Sequence, residues 1–268
     1  MPELTSRRNP RVRRAAALQR RRTRDAQGRH LADGPHAVDA ALEAGLVEEL
    51  FVSDLASAGF HQRTDVRVTT ADSGVLEALA DAVHPQGVVA VVRTPVWDEA
   101  EVWSGRTVLV ADALADPGNL GTIVRASAAM GVDGLVLTTR SVDPFAPKVI
   151  RATAGAIYGL PLMTGATMED VLAIGASRGF RMIGLDARGS TPVTALGAAE
   201  GPIALIAGSE AHGLSAVIRT RLDDTVAIPM VAGIESLNVA IAIGIALYER
   251  NVRVLPGVPV DGAASGGD

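Results

Sequence analysis

Arg125, Asn119, Glu210, Ser236 and Asn238 are the side chains of this chain whose types and settings could do chemistry on a bound reactant. Arg125 is the only charge between Pro117 and Val132 in a run of small and apolar residues. Two uses fit it: the guanidinium of a small-residue helix reaching out to water, or a grip on phosphate, which its planar fork suits. Asn119 follows the Pro117-Gly118 turn and is placed to cap a helix. Glu210 lies between Gly208 and Gly213 in "LIAGSEAHGLS", where glycines let main chain approach a ligand. The plainer reading is a strand-to-helix turn with Ser209 or Glu210 near the next helix N-terminus. In "IPMVAGIESLNVAIAIGIALYE", residues 228–249, Glu235, Ser236 and Asn238 crowd a turn before an apolar helix. A cap needs one polar residue, so the others serve a ligand or face water.

Other chemistries are excluded by composition and spacing. The chain has no cysteine, which removes disulfides, thiolate metal sites and sulfur nucleophiles. Its five histidines form no H-x-x-x-H pair or carboxylate cluster, so His212 reads as a loop residue and no metal is expected. Gly118 and Gly121 do not make G-x-G-x-x-G, and "GLVLTT" does not end in an acid that would bind ribose, so a dinucleotide site fails twice. The longest apolar run, Val239 to Tyr248, is well short of the roughly 20 residues that cross a bilayer. No export signal is read at the N-terminus, and a cytoplasmic protein is expected, with an organelle transit peptide as the minor alternative for the Arg-rich start.

The elements that must position those residues follow from pattern. Residues 30–95 alternate helical and extended stretches, including a helix with Ala37, Val38, Ala41 and Leu42 on one face and strands in "VEELFVS", "VRVTTA" and "GVVAVVRTP". Residues 96–105, with Pro95 before them, several acids and both tryptophans (Trp97 and Trp103), read as a linker whose tryptophans pack between domains. From 106 to 252 the strand-like runs "TVLVADA", "GLVLTT", "RMIGLD", "PIALIAG" and "TVAIPM" alternate with helices, which predicts an α/β domain with a mainly parallel sheet covered on both faces. A ligand then belongs at the carboxyl ends of those strands. Residues 253–268 have the composition of a disordered tail.

Charge is distributed unevenly. Residues 1–29 carry Arg7, Arg8, Arg11, Arg13, Arg14, Arg20, Arg21, Arg22, Arg24 and Arg29 against Glu3 and Asp25, a local excess of +8 in a chain of net charge −5. They read as a flexible basic arm. A polyanion whose phosphates release counterions to arginine is the natural partner; a solubilising tail is the plain alternative.

Three ordered motifs then resemble one family. Asn119, Gly121 and Arg125; Gly208, Glu210, Gly213 and Leu214; and Ile228, Pro229, Met230, Ser236, Leu237, Asn238 and Val239 are similar to the signatures of the SpoU (TrmH) family. Its members are S-adenosylmethionine-dependent RNA 2′-O-ribose methyltransferases of the SPOUT class, and the thiostrepton-resistance type of rRNA methyltransferase is closest in look. "SVDPFAPKVIRATAGAIYGLP" is also similar, with Thr153, like Ala240 further on, where serine is common. Residues 30–95 resemble the small RNA-binding module that precedes the catalytic domain. The resemblance implies a sheet whose C-terminal part is tied in a trefoil knot, which general folding rules would not suggest, and a homodimer joined through the knotted domain. It implies S-adenosylmethionine held around Leu205, Ala207, Gly208, Gly213, Ile228, Met230, Ser236, Leu237 and Asn238. Catalysis then falls to Arg125 and Asn119 with Glu210, Ser236 and Asn238. RNA, ribosomal by preference, falls to Arg7, Arg8, Arg11, Arg13, Arg14, Arg20, Arg21, Arg22, Arg24 and Arg151. Methylation of tRNA ribose, or a silent RNA-binding scaffold, are the alternatives.

Overall fold

In the computed structural model, which describes residues 3–57, 66–80, 85–209 and 213–251, every run named above as a strand is one. The chain divides into two compact units. One takes Met1–Val96, Asp116–Arg125 and Val142–Gly159; the other takes Trp97–Ala115, Ala126–Ser141 and Leu160–Asp268.

The first unit carries α1 (Pro10–Ala17), α2 (Arg21–Gln27), β1 (Arg29–Asp33), α3 (Pro35–Glu43), β2 (Val47–Val52), α4 (Asp54–Ser57), β3 (Arg67–Thr70), α5 (Ser73–Leu79) and β4 (Val88–Arg93). Its sheet runs β1-β4-β2-β3, with β4 antiparallel to both neighbours and β3 parallel to β2. Alternate strand residues serve opposite faces. Leu31, Phe51, Val89 and Val91 pack with Val12 and Ala15 of α1, Leu18 beyond it, and Val75, Leu76 and Leu79 of α5. α3 lies against β1, β2 and β4 and buries Ala37, Val38, Ala41 and Leu42, the face its periodicity predicts.

Two expectations are corrected here. The basic arm is folded: Asn9 caps α1 by accepting from Arg11 N–H (2.9 Å), and Val12, Ala15 and Leu18 are buried at helical spacing, a stripe that the dense arginines conceal. The expected linker is also structured. α6 (Glu99–Val102) is held by a capping box between Asp98 and Glu101, so two of the acids that suggested a linker are capping residues. Trp103 is buried edge-on against Phe180 (5.3 Å) and Trp97 packs on the same cluster, so both belong to the core of the second unit.

The rest of the chain forms β5 (Thr107–Ala111), α7 (Pro117–Ala129), β6 (Gly134–Thr138), α8 (Pro147–Thr153), β7 (Leu162–Ala166), α9 (Met168–Ser177), β8 (Arg181–Leu185), β9 (Thr191–Pro192), β10 (Ile203–Ala207), α10 (Ala216–Arg219), β11 (Asp224–Ala227) and α11 (Val239–Asn251). The seven strands are all parallel, in the order β7-β6-β5-β10-β8-β11-β9. β5, β6 and β10 are buried at every position, as strands covered on both faces must be. β7 escapes a sequence reading because it is an edge strand, largely unburied and without an apolar run.

α11 follows the loop after β11 and ends beside the start of β5. There the buried Arg250 donates to the carbonyls of Ala199 (2.5 Å) and Gly201 (2.7 Å), and Asn251 bonds Thr107 (3.2 Å) and the Met130 carbonyl (2.6 Å). Burial, reinforced by Arg106 and Arg181, lowers the Arg250 pKa. Ala240, Ile243, Ala246 and Leu247 form the buried side of α11, while Ile241 (56 % exposed) and Tyr248 (49 %) face outward. The tail, 253–268, lies outside the described residues.

Candidate active site

Since the large sheet is wholly parallel, the carboxyl ends of β5, β10, β8 and β11, neighbours in that order, open on one edge. The three sequence motifs follow β5, β10 and β11. The topology thus brings together strand ends from Ala111 to Ala227.

The loop after β5 is clamped to the end of β6. Ala113, in the left-handed region (φ 50°), donates its N–H to Thr138 Oγ1 (2.9 Å), whose hydroxyl donates to Asp112 Oδ1 (2.7 Å); Leu114 N–H reaches Ser141 Oγ (3.2 Å). A non-glycine residue held at positive φ is a local cost that the clamp sustains. Asp116, rather than Asn119, caps α7: its Oδ1 accepts from Asn119 N–H (2.7 Å), which places Asn119 inside the first turn. A Cβ at Gly121 would land on Ala152, so this glycine serves the close approach of α7 and α8. Arg125 is exposed and has no hydrogen bond or ion pair among the described residues.

The loop after β10 is shaped by its own backbone. A Cβ at Gly208 would fall on the main chain of Gly213, whose N–H donates to the Ser209 carbonyl (2.8 Å). Gly208 is therefore required by loop closure, whatever else the loop holds. Leu205 lies mid-strand with a fully buried side chain, paired on both sides with Leu109 and Ile183, and is part of the core. Ala207 gives its carbonyl to Asp112 N–H (2.8 Å). Glu210 and His212 lie outside the described residues.

After β11 the main chain is open. Ile228 and Met230 are half-buried and residues 231–238 are exposed. Among the described residues, Met230 to Leu237 make one main-chain to main-chain hydrogen bond, Ile234 N–H to the Val231 carbonyl (3.3 Å). The polar crowding noted in the sequence now separates. Asn238 Oδ1 caps α11, accepting from Ala240 N–H (2.9 Å) and Ile241 N–H (3.3 Å), whereas Ser236 is exposed with no hydrogen bond among the described residues.

Sequence reasoning missed the loop after β8, because "DARGS" looks like an ordinary turn. Asp186 begins it with a side chain only 7 % exposed, paired to Arg219 Nε (2.8 Å). Gly189 lies so close to β11 that a Cβ would strike Thr225, Val226 and Ala227 main chain.

The arginines of the N-terminal segment also separate. Arg24 is buried, bonded to Asp143 (Nε to Oδ2 3.1 Å) and to the carbonyls of Leu18 (2.9 Å) and Gln19 (2.8 Å), and is corrected to a structural residue. Arg11 pairs with Glu49 and lies over Phe51 (5.9 Å), and Arg7 pairs with Glu77 (2.9 Å). Arg29 pairs with Glu48 (2.5 Å), Arg21 reaches Asp25 (3.7 Å), and Arg151 reaches Asp33 (3.7 Å). Arg8, Arg13, Arg14, Arg20 and Arg22 are exposed with no ion pair among the described residues.

These features meet those of known proteins. Residues 106–248 match the SpoU rRNA Methylase family and residues 9–90 the MRM3-like substrate binding domain. An uncharacterised tRNA/rRNA methyltransferase of Synechocystis is 34 % identical over 92 % of both chains. The 23S rRNA (guanosine(2553)-2′-O)-methyltransferase RlmP of Bacillus subtilis is 29 % identical over 92 % of this chain and 98 % of its own. Among solved structures, the AdoMet-bound rRNA methyltransferase of Sinorhizobium meliloti superposes with a TM-score of 0.83 at 28 % identity, covering 95 % of this chain and 98 % of that one. The AdoMet complex of the SpoU methyltransferase AviRb from Streptomyces viridochromogenes gives 0.82 at 27 %, covering 94 % and 100 %. The chain belongs to the SpoU rRNA methylase family.

Proposed function

We propose that this protein methylates a ribose 2′-hydroxyl of ribosomal RNA with S-adenosylmethionine as donor. The observation that carries this reading is the open main chain of residues 230–237 at the carboxyl edge of the parallel sheet, in a chain of this family. Peptide groups without a main-chain partner among the described residues, beside the half-buried Ile228 and Met230, suit an adenine, whose edge offers donors and acceptors and whose rings want apolar neighbours. The donor contacts are assigned to Ala207, Gly208, Gly213, Ile228, Met230, Ser236, Leu237 and Asn238, most of them through main chain. Bound S-adenosylmethionine supplies an electrophilic sulfonium methyl.

Arg125 is assigned to the substrate. A guanidinium is a poor proton acceptor and a good phosphate partner, so Arg125 acts by binding a phosphate next to the reacting ribose and by stabilising the alkoxide that develops. Asn119, Glu210 and Ser236 orient the hydroxyl; its oxygen takes the methyl as the S–CH3 bond breaks, S-adenosylhomocysteine leaves and the hydroxyl proton is released to solvent. Alignment of two bound reactants then supplies much of the rate. Arg8, Arg13, Arg14, Arg20 and Arg22 hold the RNA backbone, with Arg7, Arg11, Arg21 and Arg151 engaged in protein pairs that RNA would have to share.

The same reading carries the trefoil knot, a homodimer and a cytoplasmic site of action. Support for the dimer comes from the exposed apolar residues Ile234 (52 %), Leu237 (39 %), Ile241 and Tyr248, which lie in and just before α11 and leave it half covered in one chain. The test of the activity is transfer from labelled donor to total RNA followed by alkaline hydrolysis. A 2′-O-methyl leaves an alkali-resistant labelled dinucleotide in ribosomal RNA; label released as mononucleotide, or confined to tRNA, overturns the assignment.

A further inference from the structure

We propose that Asp186 and Arg219 form the clasp that sets the spacing between the two loops of the methyl-donor pocket, and so are positioning residues for donor binding. This rests on the reading above. Asp186 is the first residue after β8, the strand between β10 and β11. Its N–H donates to the Val226 carbonyl (3.0 Å) and its carbonyl accepts from Gly189 N–H (2.9 Å), so the loop it starts folds back against the end of β11. Its carboxylate accepts from Arg188 N–H at Oδ1 (2.9 Å) and at Oδ2 makes an ion pair with Arg219 (Nε at 2.8 Å), a charge contact in which the Nε–H is not aligned on the oxygen. The other end of that guanidinium donates to the Leu214 carbonyl (2.7 Å), where the loop after β10 closes. One buried carboxylate and one forked cation therefore tie the loop that ends at Leu214 to the strand that feeds Ile228.

The fork meets both partners at once, a charge contact at one end and a hydrogen bond at the other. A lysine at 219 keeps the charge but cannot reach both Asp186 and Leu214 from one planar group. Arg188 contributes little by its side chain, which is 72 % exposed and at 3.5 Å.

The experiment measures S-adenosylmethionine binding by calorimetry, RNA binding, and the Michaelis constants of full-length Asp186→Asn, Arg219→Lys, Arg219→Gln and the Asp186→Asn/Arg219→Gln double variant. Each single variant is expected to weaken donor binding about tenfold, raising KM for the donor more than it lowers kcat, with RNA affinity unchanged. The double variant is expected to bind the donor no worse than the poorer single, since both remove one tie. Donor affinity within about twofold of wild type in the folded single variants, or additive losses in the double, overturns the clasp. If a variant does not fold, Arg219→Lys with its charge retained decides, and wild-type-like donor affinity in it overturns the fork. Failure of the wild type itself to bind the donor would instead overturn the underlying reading.

Discussion

Arg125→Ala removes a cation that has no structural partner among the described residues, so its stability and its donor affinity should match wild type while methyl transfer is lost. Calorimetry with the donor beside a labelled-methyl assay checks this, and near-normal turnover would remove Arg125 from the chemistry. Ser236 and Asn238, indistinguishable in the sequence, now differ in kind. Asn238→Ala should cost about 1 kcal/mol of stability through the lost α11 cap, whereas Ser236→Ala should leave chemical unfolding unchanged and lower activity. A stability loss at Ser236 would show a structural role that its exposure does not suggest. Gly121 and Gly208 carry the opposite lesson. Both belong to family motifs, yet the first makes room for Ala152 and the second for its own loop, so a motif glycine is no sign of ligand contact.

At the scale of elements, β1 is joined to the segment 142–159 by a buried polar cluster. His30 is fully buried, with Nδ1 on Thr94 Oγ1 (3.1 Å) and Nε2 on Tyr158 OH (3.0 Å), and its ring stacks on Tyr158. Burial chiefly, opposed by the nearby Asp143 and helped by a weaker effect of Arg24, lowers the His30 pKa to about 3, and burial raises that of Tyr158. The neutral ring is favoured in the folded state, so the unfolded chain binds the extra proton between pH 6.5 and about 3. The His30 contribution is intact above the unfolded value and is lost as pH falls below it. Acidification from pH 7 to 5 should thus cost wild type about 2 kcal/mol more than His30→Gln, read from denaturant unfolding of each at both pH values. Equal pH dependence of the two would show that His30 does not titrate as its burial requires. This cluster also explains why the compact units are discontinuous in sequence. Arg24 with Asp143, and His30 with Tyr158, tie residues of the first thirty to a segment more than a hundred residues on.

For the molecule as a whole, the basic N-terminus becomes a folded surface with a fixed set of exposed arginines. Replacing Arg13, Arg14, Arg20 and Arg22 with glutamine should lower the slope of log K against log salt for RNA by about 3, because each phosphate contact contributes about 0.7 to 0.9. The same experiment on Arg24→Gln should instead reduce stability, since it takes the cation from the half-buried Asp143 carboxylate. An unchanged slope in the fourfold variant would show that RNA is held elsewhere.

What the sequence by itself determined is the set of features that depend on local pattern. The buried face of α3, the fully apolar strands of a parallel sheet and the three motif loops are of this kind, because periodicity and main-chain spacing are written residue by residue. The order of the strands was decided only by the tertiary structure. It seats β8 between β10 and β11, and so makes Asp186, an unremarked turn residue, the neighbour of both loops. The same holds for arginine: ten looked alike in the first thirty residues, and packing against Glu49, Glu77, Asp143 and the Leu18 carbonyl separated those engaged in the fold from those left open to a partner. A long cationic side chain takes its role from whichever carboxylate or carbonyl lies within reach, and that is a property of contacts distant in sequence.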